Sequence, residues 1–360
     1  MMNESNVEGT YSRRAKRWKL TLALLIPAIV ITVIVSLNIG YSPIPFSEIL
    51  RALGRQIPFL RDSISASSVS PTSQAIIVDI RLPRILAAVL IGAGLSCSGV
   101  LYQGIFKNPM ADPYIIGVSS GAMVGAGVAI VSGIGLSFMG LPIKQTTAFI
   151  GALVTVLVVY SISRVGSKVP VMTLLLSGTA ISSFLVGVFE IMQVTAPNSK
   201  LPALVNWLIG GISNVTWGDV YSIAPFIIAG IVISFFFSRD LNMIALGEDT
   251  AQHLGVNTER TKLILLVLGS MISAAAVSIS GLIGFVGLMI PHITRLIVGP
   301  DHRILIPASV IVGAIYLVAC DAVVRVATGV SQLPVGALTL ILGGPFFIFL
   351  LRKAKVGYRM

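Results

Sequence analysis

The chain has 360 residues, 55% hydrophobic and 11% charged, with a formal net charge of +11. Soluble domains carry roughly a quarter charged residues, so this composition excludes a water-solvated globule: too little polar surface exists to cover one. Lipid is the expected solvent, and an all-α polytopic fold follows, because helices satisfy their own backbone N–H and C=O groups where no water is present.

The basic stretch RRAKRWK at 13–19 precedes an apolar run of about 20 residues, longer than a secretory h-region and without an A-x-A site. It reads as an uncleaved first span at 20–39 behind a cytoplasmic tail at 1–19. Within 44–55, Ile49, Leu50 and Leu53 are spaced for one face with Arg51 and Arg55 beside them, the pattern of a helix lying at the interface. The Ser-rich stretch 62–73 reads as a loop.

Further spans are expected at 85–106, 114–132, 146–163, 170–193, 219–237, 263–282, 284–298, 304–327 and 335–351, about ten crossings in all. The apolar run 263–294 is too long for one helix. Gly281, Gly284, Gly287 and Pro291 punctuate it, which predicts one crossing, a tight break and another crossing. Small residues recur four apart at Ala88, Gly92 and Ser96, and again at Gly117, Gly121 and Gly125, placing close-packing faces on two helices. Each half also has a Gly-rich helix followed by a Pro-broken loop, at 108–113 and at Pro291, a faint suggestion of paired repeats. The whole is one membrane domain, 20–353, with a short cytoplasmic tail at 354–360.

An even number of spans puts both termini on one side, and most of the 25 basic residues then fall on that side. The positive-inside rule makes it the cytoplasm, so the chain is expected as a multi-pass protein of the inner membrane. These charges lie scattered in short loops without aromatic interleaving, a pattern that fits anionic lipid and argues against nucleic acid. Cys97 and Cys320 fall within spans, where a lone thiol acts as a small apolar packer.

The long polar interruption of the second half, SRDLNMIALGEDTAQHLGVNTERTK at 238–262, is unlike the rest. Glu248 and Asp249 stand where the positive end of a short helix favours acids, and Gly255 where that helix would stop. Residues 257–260 offer a second helical start. Two short polar helices on the cytoplasmic side suit a groove on a soluble partner.

Other chemistries find little support. No G-x-x-x-x-G-K-[ST] loop occurs, and no cluster has metal-ligand spacing, so neither catalytic residues nor a bound cofactor or metal is expected. Asp321 and Glu190 are the acids that fall within helices near the membrane, which raises an ion-coupled secondary transporter as the alternative. Asp321 has Arg325 at i+4, however, and neither acid sits in a cluster. GVSSG at 117–121 matches G-x-S-x-G, a remote pointer to an intramembrane serine hydrolase around Ser119. It follows no strand, packing explains its glycines, and the histidines are His253, His292 and His302, with His292 read as a helix-end or interface residue.

RLPRILAAVLIGAGLSCSGVLYQGIFKNPMADPYIIGVSSGA (81–122), ALGEDTAQHLGV (245–256), SGLIGFVGLMIPHITRLIVGPDHR (280–303) and LPVGALTLILGGPFFIFLL (333–351) resemble, in order and spacing, the permease subunits of type II ATP-binding-cassette importers, the FecCD family. That family carries ferric siderophores, haem and vitamin B12. The resemblance implies a ten-span subunit that pairs with a second copy around a pathway, with two cytoplasmic ATPases below and an extracytoplasmic solute-binding protein above. ATP would be used by the partner ATPase, which the family docks on the segment matching 246–256; Glu248, Asp249, His253 and Leu254 are then the contact candidates. Arg81, Arg84 and Arg325 match positions that meet acidic residues of the binding protein. Spans five and ten are the implied pathway walls, with Val171 and Met172 near the inner end. Corrinoid-carrying members have small hydroxyl residues there, so the resemblance leaves an iron chelate, haem and a corrinoid all open.

Overall fold

The computed structural model describes residues 4–40, 42–61, 65, 69–134, 137–138, 141–166, 168–327 and 333–357. Its α-helices of six residues or more are, in chain order, α1 (Glu4–Asn38), α2 (Phe46–Gly54), α3 (Leu82–Ile105), α4 (Val118–Ser132), α5 (Ile143–Ser163), α6 (Val171–Thr195), α7 (Leu201–Ile209), α8 (Trp217–Phe236), α9 (Ser238–Ala245), α10 (Glu248–His253), α11 (Thr258–Ser280), α12 (Val286–Val298), α13 (His302–Ala327) and α14 (Val335–Gly357). The all-α expectation holds, apart from a minimal ribbon between α4 and α5 that pairs Ser137–Phe138 with Leu141–Pro142. Among the described residues, seven helices are long and apolar enough to cross a membrane: α1, α3 with its N-terminal extension from Pro71, α5, α6, α8, α11 and α13. Helices α4, α12 and the apolar part of α14 are shorter.

Helix α3 is the hub. It packs against α8, α11, α12 and α13, and the close approaches run through the small residues singled out in the sequence. A Cβ on Gly92 would lie 2.3 Å from the carbonyl of Gly313 in α13, and one on Gly313 would lie 2.4 Å from the carbonyl of Gly92. The second stripe does the same between α4 and α5, where a Cβ on Gly121 or on Gly151 would lie 2.4 Å from the other's carbonyl. Backbones this close exchange dense van der Waals contact, which stands in for the hydrophobic drive that lipid cannot supply.

The break in the long apolar run lies at 281–285, and it changes the reading of span eight. Gly281 (φ +63°) and Phe285 (φ +66°) adopt left-handed backbone, and Gly211 N donates to the carbonyl of Ser280 at 2.7 Å, satisfying a helix-end group that lipid could not. The 13-residue α12 rises about 20 Å, less than a hydrocarbon core of about 30 Å. It starts beside the C-terminal half of α3, where the Gly287 carbonyl stands 1.8 Å from the position a Cβ on Gly99 would take. Residues 284–298 therefore form a half-length helix inside the fold rather than a full crossing. Pro291 is not in a loop either; it lies within α12. Its ring leaves the Gly287 carbonyl without its usual helical donor, and Gly99 provides the room for that carbonyl.

Smaller corrections have equally local causes. Helix α1 begins at Glu4, so the segment expected as a cytoplasmic tail is helical from there and continuous with the first span; no proline or glycine pair stops the helix there. At the other terminus α14 runs on to Gly357. The loop expected at 62–73 ends early, because Ser70 caps a helical turn at Pro71–Ala75 by accepting from Ser73 N at 3.0 Å; residues 62–64 and 66–68 lie outside the described residues. In α2, Ile49 and Ala52 are buried while Leu50 is exposed, so the buried face is Ile49–Ala52–Leu53. Both cysteines are buried and unpaired, as packers should be.

Candidate coupling site

The polar interruption folds as a helical pair, but with different boundaries from those read in the sequence. Helix α9 precedes the GEDT motif, and α10 holds it. Gly247 (φ +132°) makes the corner between them, and Gly255 (φ +89°) ends the pair. The second start expected at 257–260 is that of the span α11 itself: Asn257 caps it, accepting from Arg260 N at 3.1 Å. Ile244, Ala251 and Val256 form a small core of their own, with Met243 packed on it.

Lys262, in the first turns of α11, fixes α10 in place. It is buried, and its ammonium meets Glu248 at 2.6 Å and Glu259 at 3.2 Å. Glu259 in turn accepts from Val169 N at 3.1 Å, tying in the connection between α5 and α6. Of the four contact candidates, Glu248 is thus partly spent inside the chain. Asp249, His253 and Leu254 are exposed. Leu254 is 58% exposed, and Leu246, which the sequence reading did not single out, is 71% exposed. Both stand exposed on an otherwise polar element. Beside them lies a shallow hollow of about 370 Å³ lined by Gln252, Gly255, Val256, Asn257, Thr258 and Glu259.

At the far end of the bundle the three expected docking arginines turn inward. Arg84 Nε donates to Asp321 Oδ1 at 2.8 Å, and Asp321 is wholly buried. Arg325 Nε stands 3.0 Å from Asp321 Oδ2, an ion-pair distance without hydrogen-bond alignment. Arg325 also donates to the carbonyl of Ile39 at 2.8 Å and to Ser36 Oγ. Arg81 donates to the carbonyls of Leu37, at 2.7 Å, and Ser42, and Gly40 leaves it room: a Cβ there would lie 2.6 Å from Arg81 Nη2. Within this single copy the three cations thus have partners in the chain: burying a cation without one is costly, and Asp321 with carbonyls at the end of α1 supplies them. The i, i+4 geometry of Asp321 and Arg325 was legible in the sequence. The partner across the fold, Arg84, was not.

Val171 and Met172 open α6 after Pro170. Met172 is 68% exposed and Val171 is half-buried, so this end of α6 presents apolar side chains away from the bundle. His292 lies within α12 rather than at its end, its ring against Phe346 at 6.5 Å. Ser119 makes no hydrogen bond to a histidine among the described residues; its neighbour Ser120 donates to the carbonyl of Gly117 at 3.1 Å. No group of His, Cys, Asp and Glu that could hold a metal occurs among the described residues. A cavity of about 560 Å³ with Lys144, Gln145, Asn206 and Asn214 in its wall opens at the end opposite α9 and α10.

The model of the FecCD transport family matches residues 28–353. The cobalamin import system permease protein BtuC of Halobacterium salinarum is 43% identical over 80% of this chain and 76% of its own length. The hemin transport system permease protein HmuU of Yersinia pestis is 36% identical over 77% of this chain and 83% of its own. A solved structure described as an inward-facing conformation of a metal-chelate type ABC transporter superposes with a TM-score of 0.79 at 32% identity, covering 93% of this chain and 99% of that one. This chain belongs to the FecCD transport family and is a transmembrane permease subunit of an ATP-binding-cassette importer, not an enzyme.

Proposed function

We propose that this permease carries a metal chelate or corrinoid inward through a pathway between two copies of itself, driven by ATPase subunits seated on α9 and α10. The exposed leucines of the coupling pair carry the reading: Leu246 and Leu254 flank the acidic turn Glu248–Asp249 on a rigid mount held by Lys262. A soluble partner with a groove and basic rim fits such a surface, the leucines giving affinity and the acids orientation. The cargo class rests on relatives described as permeases for cobalamin and hemin. Helices α6 and α14 form the walls, because each leaves long apolar side chains, Leu176 and Phe184 on one and Leu340 and Ile341 on the other, without cover in a single copy. A solute-binding protein delivers cargo at the opposite end, beside the outer cavity. The chain carries no cofactor of its own in this reading.

Orientation follows from the same geometry. The Arg303 guanidinium lies 5.2 Å over the Trp18 ring, so the start of the first span is at the coupling end. With ATPases in the cytoplasm, the N-terminal end is cytoplasmic and the membrane is the inner one, and α14, which starts after Pro334 in the wall of the outer cavity, returns the C-terminus to that side.

Asp249→Arg combined with Leu254→Asp should abolish co-purification of the ATPase while leaving the folded permease intact in detergent. Undiminished co-purification would reject the assignment. Uptake of labelled ferric siderophore, haem and cobalamin by cells with and without the permease identifies the cargo.

A further inference from the structure

The coupling pair is anchored at two places, and the anchors differ. Helix α10 is tied to α11 by Lys262. Helix α9 is tied to the beginning of α13 by one side chain, Asn242. Asn242 Oδ1 accepts from His302 N at 2.9 Å and from His302 Nδ1 at 2.8 Å, while Asn242 Nδ2 donates to Asp301 Oδ1 at 2.8 Å. Two donors converge on one amide oxygen, which fixes the His302 tautomer with its proton on Nδ1. Asp301 is in turn gripped by Arg303 through its backbone N at 3.0 Å and Nη2 at 2.6 Å, and Arg303 reaches Trp18 of α1.

The end of α3 joins the same knot. Gly104 has no side chain, and a Cβ there would meet Leu241 Cδ2 of α9 at 2.8 Å and His302 Nε2 of α13 at 3.0 Å. Leu241 is fully buried and His302 nearly so. Three helices therefore meet at Asn242, Leu241, His302 and Gly104 with no slack between them. From this knot the 26-residue α13 runs about 30 Å to the Asp321–Arg84–Arg325 cluster, where it is fastened again to α3 and α1.

Building on the proposed coupling role, we propose that Asn242 is the positioning residue that converts displacement of the coupling pair into movement of α13 and α3. Packed elements carry displacement only where they cannot slide. The hydrogen bonds of Asn242 remove the sliding freedom between α9 and α13 that a purely apolar contact at Leu241 would leave. The Lys262 anchor does not substitute for it, because it holds α10 to a different span.

The test uses the full permease with its ATPase in proteoliposomes, measuring cargo moved per ATP hydrolysed with whichever of ferric hydroxamate, haemin and cyanocobalamin the wild type takes up. Asn242→Ala should leave ATPase co-purification and hydrolysis within about twofold and lower cargo per ATP by about tenfold, the factor that 1.4 kcal/mol of lost coupling gives. Asn242→Asp should do the same, since it faces Asp301 with a second carboxylate. Combining Asn242→Asp with Asp301→Asn reverses the bond between these side chains, the new amide donating to the new carboxylate, at the loss of the Arg303 N and Nε contacts to the same atom, and should recover part of the ratio, which a merely structural role would not. An unchanged ratio in a folded Asn242→Ala variant, or no recovery in the double variant, overturns the proposal. Failure of the wild type to co-purify with an ATPase would instead overturn the docking reading beneath it.

Discussion

Helices α3 and α6 are nearly the same length and equally apolar, yet 83% of the apolar window of α3 is buried against 11% for α6. On α3 small residues face neighbouring backbones on several sides. On α6 long side chains such as Met172, Leu176, Phe184 and Ile191 stand outward. The first pattern is that of an element whose place is fixed within one copy; the second is that of one whose surroundings are lipid, cargo or a second copy. Stability and transport should therefore be separable: damage to α3 and its partners unfolds the subunit, whereas changes on α6 alter what it moves.

The largest effect should come from Asp321→Ala. It leaves Arg84 buried without its carboxylate, a change that costs about 3–5 kcal/mol in buried pairs, and loss of the folded fraction on detergent size exclusion would record it. Replacing Asp321, Arg84 and Arg325 together by apolar residues should restore much of that loss; no recovery would mean the cluster does more than bind charge to charge. Next comes Gly99→Ala, whose Cβ would fall 1.8 Å from the Gly287 carbonyl. Overpacking typically costs about 1–3 kcal/mol, and a backbone obstacle places it at the upper end. The matched change on α6, Gly187→Ala, meets nothing within 4 Å and should stabilise slightly, by up to about 1 kcal/mol from helix propensity. Equal thermal shifts for the two glycines would break the comparison. Met172→Ser should leave unfolding unmoved within about 0.5 kcal/mol, as exposed sites usually do, while changing cargo uptake. Lys262→Met removes the ammonium shared by the partly exposed Glu248 and Glu259, pairs worth about 1 kcal/mol or less, and should loosen α10 in hydrogen exchange.

Apolar runs, small-residue stripes and the polar interruption were legible because each is a local pattern whose physics acts within a turn or two. The short α12 was not, since its apolar composition matches that of a crossing and only the turn at 281–285 shows where it begins. Arg84 and Asp321 are 237 positions apart, and nothing in either neighbourhood announces the other. Read by type and position alone, a basic residue at a helix end looks outward. Leu246 was legible in retrospect, as a large apolar residue beside a glycine corner in a polar segment.

The sequence by itself determined the solvent, the helical class, the family resemblance and the place of the long polar segment, because hydropathy and backbone satisfaction depend on composition and spacing. The tertiary structure alone decided which cations are spent inside, where the half-length helix begins, and that Asn242 joins α9 to α13. Those depend on which carbonyls, carboxylates and amides arrive within 3 Å of one another, and only the packed chain sets such distances.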